Sequence, residues 1–547
     1  MIADPSTLVA PGEPDGAAPA SAAPSSSYDR VPYSVHAFPQ TQPQRLAVIA
    51  RLFGMRPAMP DRCRVLELGC AGGGNLIPMA VAEPECRFVG IDLSARQIAD
   101  GQRIVRQLDL HNVQLKAMSI TDVDESFGQF DYVLCHGVYS WVPPHVQEAI
   151  LRICRKHLQP QGVAYISYNT YPGWHARGAI REMLCYHTER FDDPADRIRE
   201  ARALLAFLAS SMPQRDGGYG SLIRQELAVL ASTPDTYLLH EHLEDFNEPL
   251  YFHQFIARAA AAGLQYLAEA QLGTMVASRL GAEAEKTLRQ ISPDLLHMEQ
   301  YMDFLRNRMF RQTLLCHGEV KLDHVLRPDA VRELLIASSA APATPETDIR
   351  SDACMAFSQP GGPTLESRDP LMKSAMVHLS QVWPRAVRFD ELMAAAEARL
   401  GRDAAGGDGR VEQSKSLIAR LLNCYASGLV EFRLAEDRFV AEVSEQPVAS
   451  PYARLRAAED TKINNLRLET IVLSEPARLV LRNLDGQHDR QALVQLVTEW
   501  IERSAAGRES SAQTPAQTGA DTSPDERAAR YVDELLRGLA RGAVLVR

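Results

Sequence analysis

Residues 65–78, VLELGCAGGGNLIP, set a carboxylate, Glu67, two positions ahead of a glycine cluster, and a second carboxylate, Asp92, ends the run FVGID at 88–92. Both runs are short and apolar, as strands are, and NLIP after the glycines opens a helix. Glycines between a strand and a helix let bare backbone N–H groups approach a polar ligand. A carboxylate at the tip of the next strand can accept from ribose hydroxyls. Together they describe a site for a nucleotide-like molecule.

Two ligand classes use this order of strand, loop and helix. Dinucleotide sites want G-x-G-x-x-G, which Gly69, Ala71 and Gly74 meet with one alanine. Methyl-donor sites want an acidic residue two positions before G-x-G-x-G, and Glu67, Gly69, Ala71 and Gly73 fit with the same exchange. Glu67 separates the classes. It would repel a pyrophosphate but suits the cationic amino-acid end of S-adenosyl-L-methionine, the expected cofactor. Pro78 forces the helix to begin close to Gly74, which leaves its free N–H groups at the loop. Asn75 at the end of the loop and Leu93 after Asp92 are expected to bind the cofactor, with Asp92 on the ribose hydroxyls. Asp122, after the third strand, is placed for the adenine amino group, and His136 packs near the cofactor. No metal is expected. His240, His242 and His253 stand among Glu241, Glu244 and Asp245, a metal-capable composition, but their spacing matches no H-E-x-x-H site and reads as a hydrogen-bonded helix junction.

Aromatic side chains cluster where the fourth and fifth strands end, the edge at which such sheets bind ligands. Tyr139 and Trp141 lie in HGVYSWVP, and Tyr168, Tyr171 and Trp174 lie in or beside SYNTYP. Tyr139 and Trp141 are the leading candidates for a dry substrate channel. Asn169 could hold a substrate amine through its side-chain carbonyl, and Tyr28 and Tyr33 could fold over as a lid. For any single ring, ordinary packing is the competing reading.

The elements that must position these groups alternate from about 60 to 168. VLEL, FVGID, VQLKAM, YVLCHG and VAYISY read as strands, with helices between them. Ser94 and Gln97 form a capping box for a helix over 95–110, which Asn112 can close. Pro143 and Pro144 open the next helix, with Arg155, Lys156 and His157 in its last turn. Such alternation implies a parallel sheet covered on both faces. Residues 28–175 form this core. Residues 176–245 read as a helical insertion, after which 246–325, with strand-like LQYLAEAQ and FRQTLLCHG, returns to complete the sheet. A separate middle domain is the alternative. A linker is expected at 338–367 (APATPET, QPGGPT), then at 368–445 a winged-helix-like domain with LVEFRL and RFVAEV as its hairpin. A helical segment over 446–547 is broken by a disordered insert at 504–526.

At 547 residues, three or four domains are expected. A net charge of −11 argues against a broad nucleic-acid surface, and 368–445 carries nearly equal acids and bases. No apolar run is long enough to cross a membrane. Residues 1–27 read as a disordered tail and not a signal peptide, and nine scattered cysteines without a C-x-x-C pair suit the cytoplasm. Oligomeric state is left open.

Longer strings carry a resemblance. SYDRVPYSVHAFPQTQP (27–43), SYNTYPGWHARGAIREMLCYH (167–187), YLLHEHLEDFNEPLYFHQF (237–255) and FRQTLLCHG (310–318) resemble bacterial methyltransferases with a methyltransferase regulatory domain. That group includes the rickettsial protein lysine methyltransferases that act on outer-membrane protein. The resemblance covers about 27–325, and the tail from 368 is similar to their winged-helix-like region. It implies an α/β, Rossmann-like class I methyltransferase core with a helical insertion and a C-terminal α+β winged-helix-like region. It also implies methyl transfer to a protein side chain, lysine in some members. A small-molecule substrate is the alternative of the same chemistry. The alternative of a different class is a cofactor-sensing protein whose winged helix docks a partner or DNA.

Overall fold

The computed structural model describes residues 36–211, 218–231, 233–344, 348–401, 408–509 and 523–547. The expected tail at 1–27 and the lid tyrosines Tyr28 and Tyr33 lie outside these. The chain enters through α1 (Pro43–Leu52). It then alternates β1 (Arg64–Leu68), α2 (Leu76–Ala82), β2 (Arg87–Asp92), α3 (Ala95–Gln107), β3 (Val113–Ala117), β4 (Phe130–Cys135), α4 (Pro144–His157) and β5 (Leu158–Asn169). Four helices follow: α5 (Trp174–Thr188), α6 (Pro194–Ser211), α7 (Gly218–Ala231) and α8 (Asp235–His242). α9 (Phe252–Ala261) leads into β6 (Leu264–Glu269), and α10 (Ala282–Ile291) and α11 (Leu295–Arg306) precede β7 (Phe310–His317).

The seven strands form one sheet in the order β3-β2-β1-β4-β5-β7-β6. The first five are parallel, and β7 runs antiparallel to both β5 and β6. Strand order reverses at β1, so the loop after β1 opens at the switch point where such sheets bind ligands. Alternate residues feed two cores, as strand geometry requires. Val65, Phe88, Tyr132 and Tyr165 face α1 and α2, whereas Leu66, Ile91, Val133 and Ile166 face α4 and α9. The inserted helices α5–α8 bury Ile180, Leu184, Leu205, Ile223 and Leu238 in a core of their own.

The sheet's far edge is held by charge in a dry place. Arg311 of β7 is fully buried and reaches Glu269 (2.7 Å), Asp303 (2.7 Å) and Glu299 (3.1 Å), while Arg308 adds a 2.9 Å contact to Glu269. The Arg311 guanidinium also lies 3.8 Å from the centre of the Phe252 ring. Burial, with the neighbouring charge of Glu269, outweighs these arginines at Glu299 and pushes its carboxyl up to about 7.

Several local expectations are corrected. Asp109, at φ +52°, takes the left-handed turn after α3. Asn112 instead donates its amide to Ala80 and Glu83 (3.0 and 3.1 Å), at the end of α2. The 338–367 linker is ordered over its described residues. Ala341–Pro342, Met355–Ser358 and Thr364–Ser367 make a three-stranded antiparallel sheet, and QPGGPT is its hairpin turn. The expected LVEFRL/RFVAEV hairpin does not form. Glu431–Arg433 pairs with Leu335–Ala337, and Val440 donates to the Leu545 carbonyl (3.0 Å), drawing 438–443 toward the C-terminal core. A helix over Arg490–Glu509 runs into the expected 504–526 insert, and another starts at Pro524; residues 510–522 lie outside the described residues.

Candidate active site

Strand β1 delivers Glu67 to the floor of the loop, where its side chain is buried. Its Oε1 accepts from Asn75 Nδ2 at 2.8 Å, and its Oε2 has no hydrogen-bond partner among the described residues. Burial pushes the carboxyl up to about 7 against the pull of the Asn75 bond, with the charge of Asp92 adding to the rise. A buried polar atom without a partner costs free energy unless a ligand supplies one. Asn75, the residue before α2, turns inward: its Oδ1 accepts from the Phe38 N–H at 2.9 Å, and its Nδ2 lies 3.0 Å from Thr41 Oγ1. Thus the segment before α1 closes one side of the loop.

The loop backbone is unusual in a way that requires its glycines. Gly69 and Gly73 both adopt φ +74°, and a β-carbon on Gly69 would stand 2.4 Å from Val138 Cγ2. Ala71 adopts φ +48°, a conformation that costs an L-residue about 1–2 kcal/mol. Asp92 holds it there, its Oδ2 accepting from the Ala71 N–H (2.8 Å) and its Oδ1 from the Ser94 N–H (2.9 Å). Pro78 falls in the first turn of α2, and Ser94 caps α3 by accepting from Gln97 N–H at 3.2 Å. Leu93 beside Asp92 is 69% exposed, and Asp122 lies exposed in a turn after β3.

The His136 ring packs 3.9 Å from the Phe38 ring, with Nδ1 2.8 Å from Tyr165 Oη. Burial drives its pKa down to about 4, so it is neutral at pH 7. Tyr139 departs from expectation. It is fully buried, edge-on to Phe255 (5.2 Å between ring centres) and to Tyr168 (6.3 Å), so it belongs to the core beneath α9 and exposes no surface to a channel. The expected channel residue Trp141 is half-buried, with its ring edge-on to Trp174 at 6.2 Å.

Asn169 is buried at the end of β5 and donates to Asn247 Oδ1 at 3.3 Å. Ser140 gathers the surrounding strands of chain: its Oγ accepts from the Asn169 N–H and its carbonyl from the Glu248 N–H. Leu250 N–H in turn donates to the Asn169 carbonyl. Asn247 Nδ2 and Glu248 Oε2 are buried without partners among the described residues, a second pointer to a ligand. Beside them Tyr171 stacks on His175 (4.0 Å), and Tyr251 Oη lies 3.1 Å from His175 Nε2 with Phe304 exposed beyond. Asn247, Glu248, Tyr251 and Phe304 were not singled out from the sequence. All but Phe304 lie inside the strings that carry the resemblance, and no spacing rule marks them. The histidines read as a helix junction go separate ways: His240 to Glu244 (2.6 Å), His242 toward Glu226 (3.2 Å) and His253 to Gln300 (2.9 Å).

Comparisons with known proteins agree with this geometry. Three family models match: "Methyltransferase domain" over residues 66–164, "Predicted methyltransferase regulatory domain" over 234–317, and "PKMT, C-terminal winged helix domain" over 445–544. The last falls beyond the 368–445 segment for which a winged helix was expected. An uncharacterized protein of Rickettsia prowazekii, RP789, is 34% identical over 483 residues, 87% of this chain and 86% of the relative. A second R. prowazekii protein, RP028, is 42% identical over 233 residues, 93% of its own length and 43% of this chain. The solved structure of PKMT2 from Rickettsia typhi in complex with AdoHcy is 30% identical and superposes with a TM-score of 0.82, over 94% of this chain and 100% of that one.

Proposed function

The chain belongs to the PKMT2-like family of class I S-adenosylmethionine-dependent methyltransferases, and from that premise we propose that it methylates the side-chain amine of a lysine on a protein. The observation that carries the reading is Glu67, a buried carboxylate with one oxygen unpartnered, at the base of a loop pinned by a second carboxylate. Two carboxylates repel a pyrophosphate and suit a cationic ligand. S-adenosylmethionine supplies, when bound, a methyl carbon activated by its sulfonium. Glu67, Asn75 and the backbone of Gly69, Ala71 and Gly73 would hold its amino-acid end. Asp92 would take the ribose hydroxyls, Leu93 the adenine face and Asp122 the adenine amino group, with His136 as a neutral neighbour.

The remaining work falls on the acceptor side. A lysine must shed a proton before it can act as a nucleophile, at a cost of about 4–5 kcal/mol at neutral pH. A dry aromatic surround offsets part of this by disfavouring the ammonium. Trp141, Trp174, Tyr171 and Tyr251, paired at the carboxyl ends of β4 and β5, would provide such a surround once substrate covers them. The side-chain carbonyls of Asn169 and Asn247 can accept from the neutral amine and orient it, and alignment is the main catalytic contribution such a site makes. We place the enzyme in the cytoplasm. All nine cysteines are free thiols, and no helix among the described residues is long and apolar enough to cross a membrane.

Calorimetry with S-adenosylhomocysteine and, separately, NAD tests the cofactor assignment. One site per chain for the first, lost in Asp92→Ala, is expected. NAD binding without S-adenosylhomocysteine binding would overturn it.

A further inference from the structure

A cavity of about 380 Å³ lies away from the loop, where the start of α1 and the turn after β6 meet the chain at 425–439 and Leu466–Arg467. Five arginines line it: Arg45, Arg279, Arg433, Arg438 and Arg467. Four carboxylates share the walls, and three of them are engaged with two of these arginines. Arg433 is bound by Glu431 and Asp437, and Arg438 lies 3.6 Å from Glu83. Glu436, the fourth, is exposed. Arg45, Arg279 and Arg467 make no salt bridge among the described residues.

Arg467 is the most telling of the three. It is 4% exposed, its guanidinium is clamped between the rings of Trp383 (4.0 Å) and Phe439 (4.8 Å), and its Nε has no hydrogen-bond partner among the described residues. A buried guanidinium with an idle donor calls for an acceptor. The positive field is felt nearby. Burial would push the Glu431 carboxyl up, yet Arg433, Arg467 and Arg45 hold it down at about 2.

The same short segment that lines this cavity also closes the cofactor loop. Gln42 donates to the Leu466 carbonyl (3.4 Å) and Gln44 to that of Ala435 (2.9 Å), on the cavity side. Phe38 and Thr41, just before them in the chain, bind Asn75, which binds Glu67. We infer that this cavity is a binding site for a small anion bearing phosphate or carboxylate groups, and that its occupant acts on the cofactor loop through residues 38–45. Planar guanidinium groups grip both kinds of anion in paired hydrogen bonds. The volume suits a small metabolite and not a folded partner.

The test is calorimetry on the full chain at fixed ionic strength, with sodium pyrophosphate and sodium citrate as parallel probes. Saturable binding of either at one site per chain is expected, and the tighter probe tells phosphate from carboxylate. Arg45→Gln and Arg467→Gln should each weaken it about tenfold, the worth of one charge-assisted bond. Should Arg467→Gln fail to fold, Arg279→Gln at the exposed rim takes its place. The anion should also shift the affinity for S-adenosylhomocysteine, and the latter should shift the affinity for the anion by the same factor. Neither probe binding to protein that still binds S-adenosylhomocysteine overturns the site and leaves the methyltransferase reading intact. Binding indifferent to the arginine variants also overturns the site, and binding without reciprocal shifts overturns the coupling.

Discussion

Replacing Glu67 with glutamine should make the fold more stable and the enzyme worse. The carboxyl is buried with a pKa of about 7, against an ordinary value of 4.5, and burial is the main cause. Between these two values the folded chain keeps a proton that the unfolded chain has released, so stability falls as pH rises through this window and is flat above it. At about 1.4 kcal/mol for each pH unit separating the two values, the full cost above pH 7 is about 3 kcal/mol. About 2 kcal/mol of it accrues between pH of about 5.5 and 8.5. Glu67→Gln keeps an oxygen for the Asn75 amide and removes the charge. Chemical denaturation of both proteins across that range should show the wild type losing about 2 kcal/mol relative to the variant as pH rises. Calorimetry above pH 7 should show the variant binding S-adenosylhomocysteine about 10- to 100-fold more weakly, the value of one hydrogen bond to a charged group. Wild-type affinity should fall toward that of the variant as pH drops below 7. Parallel stability curves, or equal affinities above pH 7, would refute both the buried charge and its role.

Gly69→Ala, which drives a β-carbon to 2.4 Å from Val138 Cγ2, should lower cofactor affinity at least about tenfold by calorimetry. Ala71→Gly should leave that affinity unchanged and raise stability by up to about 1 kcal/mol: relief of the left-handed β-carbon outweighs the chain entropy that glycine adds to the unfolded state. Arg311→Ala strands three buried carboxylates and should cost about 3–5 kcal/mol in denaturant unfolding; a loss below about 1 kcal/mol would mean the network holds nothing. Asn169→Ala should slow methyl transfer about tenfold with cofactor affinity unchanged, and loss of cofactor binding instead would move Asn169 out of the acceptor site.

The geometry of the loop proposed to hold the cofactor was legible because it is local. Glu67, the glycines and Asp92 lie on two adjacent strands, and the backbone demands of the loop are written in residue types. The one loop position that breaks the pattern, Ala71, is explained only by the Asp92 bond to its N–H, a tertiary fact. Tyr139 was misjudged because the ring that covers it, Phe255, arrives from α9 more than a hundred residues later. Asn112 misled for a like reason: its amide serves the end of α2 and not the helix it follows. Strands of two to four residues carry too little alternation to be read, so the sheet at 341–367 passed for a linker and Glu431–Arg433 was given the wrong neighbour. Phe38 and Thr41 lie in a string that carried the resemblance, but no spacing rule marks either residue, and they hold the asparagine that holds Glu67.

Incubation with methyl-labelled S-adenosylmethionine and a protein extract, followed by complete hydrolysis and amino-acid chromatography, asks directly what the enzyme makes. Label eluting as Nε-methylated lysine, absent with Asp92→Ala, is the expected result. Label confined to small molecules, or carried on an amino acid other than lysine, would contradict it.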